Sequence, residues 1–184
     1  MKTLLAVVLV GLAASAFADG RVIDLAKVAN PVLFAHVDGK PAPAPEGTSV
    51  AVTKEGVKLV CNFTSTEHDA AMFAFDTELA AFKEMDVDFT ITDGRQLVYA
   101  VLVDANGENH CFKCEAVNSN VRTTRTLKVK ETNDHPAEYF AWRWGGDDNQ
   151  RIDWPVKKIF LGVNDTPDTF TGRVSVVIHK LTLR

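Results

Sequence analysis

The stretch from Tyr139 to Pro155 holds the densest set of chemically capable side chains in the sequence. It contains Trp142, Trp144 and Trp154, with Asp147, Asp148, Asn149, Gln150 and Arg151 between them. An indole offers a flat face to a ring rich in C–H groups, and carboxylate, amide and guanidinium groups bond a rim of hydroxyls. A sugar ring presents both features. Gly145-Gly146 lets the backbone turn sharply or approach a ligand closely. The ligand-binding set read from this stretch is therefore Trp142, Trp144, Asp147, Asp148, Asn149, Arg151 and Trp154. The same residues also admit a purely structural reading. Tryptophans at i, i+2 on an alternating strand suit a core, and Asp-Asp-Asn after Gly-Gly suits a solvated turn. Trp154-Pro155 is expected as an ordinary trans bond at the start of a strand.

The cysteines and histidines carry weaker signals. Cys111-Phe112-Lys113-Cys114 has C-x-x-C spacing, but redox work by such a pair wants a helix N-terminus to lower the first thiol's pKa. This pair falls within an expected strand, where i and i+3 point to opposite faces. Glu115 follows in place of the His of a haem-attachment motif, and no second pair completes a zinc site. Cys61 and Cys114 both fall on apolar strand faces and are the expected disulfide if their strands adjoin, with three reduced, buried thiols as the alternative. His36, His68, His110, His135 and His179 are scattered, and no H-E-x-x-H, G-x-S-x-G or phosphate-loop motif is present. The acidic residues fall on wet strand faces and in turns and not as a pair placed across a cleft. No metal and no cofactor is expected.

Strands must position these groups. Met85 to Thr92 alternates, with Val87, Phe89 and Ile91 on one side and Asp86, Asp88, Thr90 and Thr92 on the other, the pattern of a strand with one dry face. Asp93-Gly94 offers a two-residue turn, Leu97 to Val103 reads as a strand buried on both faces, and Asn106-Gly107 leads into a strand at Glu108 to Cys114. The three are expected as a meander. Further strands are read at Val32 to Val37, Ser49 to Val52, Val57 to Phe63, Val121 to Lys130, Glu138 to Trp144, Val156 to Val163 and Gly172 to Leu183. About ten short strands separated by turn signals predict an all-β, antiparallel β-sandwich or barrel. Short helices are expected at Asp76 to Met85 and Arg21 to Ala29, and Lys40 to Gly47 is a stiff Pro/Ala loop.

The chain has 184 residues, with 24 Asp and Glu against 20 Lys and Arg. That balance speaks against nucleic acid as a partner, and no apolar stretch is long enough for a membrane span. Met1 to Ala18 has a charged start, an apolar run and an A-x-A ending, so residues 1–18 are expected to be a signal peptide. Residues 19–184 would then form one exported domain, periplasmic or extracellular.

Three stretches carry a family resemblance: D-G-R-Q-L-V-Y-A-V-L-V-D-A-N-G-E (Asp93 to Glu108), W-R-W-G-G-D-D-N-Q-R-I-D-W-P (Trp142 to Pro155), and Lys157 through Leu183. Their order resembles the galactose-binding-domain-like jelly-roll carbohydrate-binding modules attached to bacterial glycoside hydrolases, over residues 57 to 184. The resemblance implies a jelly-roll β-sandwich with at most one or two short helices. It implies a non-catalytic domain that recognises a glycan or polysaccharide, with a separate carbohydrate-active enzyme as a further partner. The chain departs from that group at Val176-Val177-Ile178-His179, which lacks the carboxylate that helps hold a structural calcium there. Jelly-roll polysaccharide lyases share the architecture, and Tyr99, Tyr139, His110 and Arg125 supply the residue types of their chemistry without a motif that unites them. A lyase or hydrolase, and an interaction domain with no sugar site, are the alternative functions.

Overall fold

The computed structural model describes residues 20–38, 40–64, 69–93, 97–114, 120–129, 140–149, 151–164 and 171–184. The leader 1–18, His68, His135, Tyr139 and Gln150 lie outside them. Among the described residues, thirteen strands form two antiparallel sheets packed face to face. The six-stranded sheet holds β1 (Arg21–Asp24), β4 (Ser49–Thr53), β5 (Gly56–Phe63), β7 (Glu84–Asp93), β10 (Thr123–Lys128) and β13 (Gly172–Leu183). Its order is β10-β7-β13-β5-β4, and β1 pairs with the end of β13. The seven-stranded sheet holds β2 (Val32–Val37), β3 (Lys40–Pro41), β6 (Ala70–Leu79), β8 (Leu97–Val103), β9 (Glu108–Cys114), β11 (Phe140–Gly145) and β12 (Val156–Asn164), in the order β11-β9-β8-β12-β6-β2-β3. The all-β, jelly-roll sandwich expected from the sequence is the fold.

Alternation sets the core. Val57, Leu59, Cys61 and Phe63 of β5, Val87, Phe89 and Ile91 of β7, and Ile159, Leu161 and Val163 of β12 all point between the sheets and are buried. These are the inward positions that period-two spacing assigns.

Three expectations need correction. The meander from β7 to β9 is only half formed. β8 and β9 make the Asn106-Gly107 hairpin, but β7 pairs with β10 and β13 in the other sheet, so the chain changes sheets after Asp93. Alternation tells which side of β7 is dry, and a strand of either sheet satisfies it. The helix expected at Asp76 to Met85 is absent, because β6 continues through Leu79 and β7 begins at Glu84. Leu79 and Phe82, the anchors spaced for a helix, are both buried from the ends of an extended arm. Arg21 to Ala29 is likewise a strand followed by a single 3-10 turn at Leu25–Lys27, capped by Asp24.

The Cys61–Cys114 disulfide is also corrected. All three cysteines are free and buried. Cys61 lies on β5 and Cys114 on β9, in opposite sheets. Facing sheets pack about 10 Å apart, whereas a disulfide wants Cα atoms within about 7 Å. Shared inward parity thus places both thiols in the core without making them neighbours. Burial pushes Cys61 and Cys114 up to about 12 and raises Cys111 as well, so the thiolates needed for redox chemistry do not form near neutral pH.

Candidate functional site

The seven-stranded sheet has an outer face that is not an ordinary wet face. On β2 the outward residues are Val32 and Phe34, on β6 Met72, on β8 Tyr99 and Val101, on β12 Phe160, and on β11 Trp142 and Trp144. Registers align them across the strands. Trp142 sits opposite Cys111, Cys111 opposite Val101, Val101 opposite Phe160, Phe160 opposite Ala74, and Ala74 opposite Val32. One row therefore crosses six strands, about 24 Å at the usual strand spacing. A neighbouring row runs Tyr99, Gly162, Met72 and Phe34.

Gly162 keeps the middle of this face low. A Cβ there would lie 2.2 Å from the Ala71 carbonyl oxygen and 2.5 Å from the Met72 Cα. The aromatic groups contact one another between the rows and along β11. Tyr99 and Trp142 have ring centroids 5.5 Å apart, Trp142 and Trp144 6.3 Å, and Phe34 and Phe160 5.6 Å. Tyr99 is buried beneath this layer, while Trp142 is 41% exposed, Trp144 43% and Phe34 40%. Exposed large apolar side chains are scarce in this chain, and four of the seven described (Val32, Phe34, Trp142 and Trp144) share this face. Such a concentration marks a binding surface.

A cavity of about 580 Å³ opens over the face, walled by Trp142, Trp144, Phe160, Phe34, Met72 and Pro41, with His36, Asn109 and Asn164 as its polar groups. A second cavity of about 510 Å³ continues past the shared Phe34 and Phe160 to Phe75, Asn30 and the Asp76–Lys158 ion pair (3.4 Å). Together they make a groove across the strands. Among the described residues, no carboxylate pair faces the first cavity, and its one ionisable group is His36, whose pKa is lowered by burial. The groove has the size and apolar character of a ligand site but not the acid and base of a glycosidase.

Of the expected ligand-binding set, Trp142 and Trp144 line the groove. The other members of that set do not line it. Trp154 turns inward, packs edge-on against Phe82 at 5.1 Å and joins the core, and its bond to Pro155 is cis, not trans. Asp147 and Asn149 hold their own loop: Asn106 Nδ2 donates to Asp147 (3.2 Å) and Asp153 (2.9 Å), and Asn149 Nδ2 donates to the same two carboxylates. The Arg151 backbone N–H donates to Asn149 Oδ1 at 2.8 Å. Asp148 and Arg151 are exposed. Gly146 has a φ of +61°, and a Cβ there would meet the Glu108 backbone nitrogen at 2.5 Å, so this turn needs glycine.

Phe34, Met72 and Phe160 are the residues the sequence reading missed. Each sits at an outward position of a strand that is apolar at both parities: V-L-F-A-H-V, A-A-M-F-A-F and K-K-I-F-L-G-V. That double apolarity, read only for Leu97 to Val103, was the available signal. The residue types of a lyase are dispersed. Tyr99 lies under the groove, His110 points into the sandwich and Arg125 is on the other sheet.

Behind β11, on the inner side of the same sheet, lies a buried polar group. Asp104, Glu108 and His110 are at most 1% exposed. Asp104 accepts the N–H groups of Asn106, Glu108 and Asp153, tying the β8–β9 turn to the loop before β12. Arg143, which points away from the two groove tryptophans, places Nε 3.4 Å from Glu108 Oε1. Burial raises the Glu108 pKa against the pull of Arg143, and burial lowers that of His110 against the pull of Asp104.

No protein-family model matches the chain, and no curated protein resembles it in sequence. Its fold is similar to that of solved structures. One is the family 11 carbohydrate-binding module of a cellulosomal cellulase of Clostridium thermocellum, with TM-score 0.54 and 13% identity, over 90% of this chain and 95% of that one. Another is the family 11 module from Clostridium thermocellum in complex with a β-1,3-1,4-mixed-linked tetrasaccharide, with TM-score 0.54 and 14% identity, over 88% of this chain and 94% of that one. At such identities the likeness is one of architecture, and it bears out the jelly-roll resemblance read from the sequence at the level of fold.

Proposed function

We propose that this is a non-catalytic carbohydrate-binding domain that holds a neutral glycan chain across the outer face of the seven-stranded sheet. The aromatic surface formed by Trp142, Trp144, Phe160 and Phe34 carries the reading. Flat rings spaced along a groove bind successive sugar faces, and the groove's length suits a chain better than a single ring. Charge supports a neutral ligand: among the described residues the first cavity has no Asp, Glu, Lys or Arg in its wall, and Asp76 and Lys158 in the second neutralise each other. The mixed-linked tetrasaccharide of the family 11 module is a suitable first probe. The domain acts after export, its leader removed after Ala18, beside a separate carbohydrate-active enzyme.

Affinity electrophoresis of protein expressed with its own leader tests these points together. Gels containing a neutral β-glucan, mannan or xylan should retard the exported chain, and polygalacturonate or alginate should not. The retained species should have the mass of a chain beginning at Asp19. Retardation by the acidic polymers alone, or by none of the polymers, would remove the basis of the proposal.

A further inference from the structure

We propose that Asp104, Glu108 and His110 form a binding site for one divalent cation of the transition type, zinc being the probe, inside the sandwich behind the Trp142–Trp144 strand. The three side chains each offer a ligand atom, and these atoms all lie within 4.8 Å of one another. His110 Nε2 stands 3.4 Å from Asp104 Oδ2 and 3.8 Å from Glu108 Oε2. Charge-assisted hydrogen bonds are about 2.7–2.9 Å long, so neither contact is a good one. With zinc–nitrogen and zinc–oxygen bonds of about 2.0–2.2 Å, ligands on a tetrahedron stand about 3.3–3.6 Å apart. The 3.4 and 3.8 Å separations from His110 sit near that spacing.

Glu108 supplies an independent observation. It is fully buried, and neither of its carboxylate oxygens accepts a hydrogen bond. Arg143 Nε stands 3.4 Å from Oε1 and His110 Nε2 3.8 Å from Oε2. A buried carboxylate is costly unless something compensates it. Arg143 stands at one oxygen, which leaves Oε2 directed at the imidazole. Asp104, Asp147 and Asp148 add to the negative field at Glu108 against the pull of Arg143. A dication fits that balance.

The donor set is mixed nitrogen and oxygen, which favours zinc or a similar ion over calcium. Three N–H donors already orient the Asp104 carboxylate, as supporting hydrogen bonds orient metal ligands elsewhere. Bound there, the ion would fasten the β8–β9 hairpin beneath the 145–153 loop. The inference rests on these interior residues and not on the sugar reading.

Calorimetric titration of chelator-treated full chain with zinc chloride tests it. One saturable site is expected, with a rise in melting temperature of about 5–10 °C at zinc a hundredfold above its dissociation constant. Glu108→Gln should weaken zinc binding at least tenfold and cut the rise at the same zinc concentration to about half or less, with an unchanged circular dichroism spectrum. Should that variant fail to fold, cobalt added to the wild-type chain should give a tetrahedral d–d band without a thiolate charge-transfer band. Absence of a saturable zinc site, undiminished binding by folded Glu108→Gln, a thiolate band, or a melting rise with calcium and not zinc would each overturn the proposal.

Discussion

Replacing Trp142 and Trp144 together by alanine should lower affinity for a neutral glycan at least a hundredfold, while the melting temperature moves by no more than about 4 °C. The two effects separate because both indoles stand on the outside of the sheet, each two-fifths exposed. Truncating an aromatic anchor in a binding site typically costs about 1–3 kcal/mol, and a hundredfold corresponds to about 2.7 kcal/mol. Little of the sandwich depends on them, since neither belongs to the main core between the sheets. Phenylalanine at both positions should restore part of the affinity, because a smaller flat face remains. The paired readouts are affinity electrophoresis and thermal unfolding. Unchanged affinity in a folded double variant would mean that the aromatic row is not the ligand surface.

Trp154→Ala should behave in the opposite way. The side chain is half-buried, packed on Phe82 and against the main core. Removing a large core aromatic costs about 3–5 kcal/mol when it is fully buried. For a half-buried ring the lower part of that range, about 2–3 kcal/mol, is expected, which lowers the melting temperature by roughly 5–10 °C in a domain of this size. Affinity for glycan should stay within about twofold. A variant that melts normally but has lost binding would return Trp154 to the ligand site. Trp144 and Trp154 belong to the same short stretch of chain, so the pair contrasts two roles that composition alone cannot separate.

The sequence made strands and their inward residues legible because burial is periodic. Val87, Phe89 and Ile91 alternate with polar neighbours, and the core takes them. It made sheet membership less legible, since β7 is dry on one side in either sheet and only long-range pairing with β13 decides. The same gap explains the cysteines: inward parity was read correctly for Cys61 and Cys114, and their placement in opposite sheets was not in the local pattern. Trp142 and Trp144 were legible as aromatic groups near glycines, but their partners came from strands up to about 110 residues away, brought together by register across six strands. Asp147 and Asn149 show the limit of composition from the other side. Amides and carboxylates clustered in a loop suit hydroxyl recognition, yet here they bond one another and Asn106 to shape the turn.

The most direct test is a titration of the isotope-labelled domain with a soluble neutral oligosaccharide, beginning with the mixed-linked β-1,3-1,4 tetrasaccharide, read at the three indole N–H signals. Saturable shifts are expected at Trp142 and Trp144, with backbone changes on β2, β8 and β12, and little movement at Trp154 or on the outer face of the six-stranded sheet. Shifts confined to Trp154 or to that opposite sheet, or no saturable shift with any neutral glucan, mannan or xylan oligomer, would contradict the proposed function.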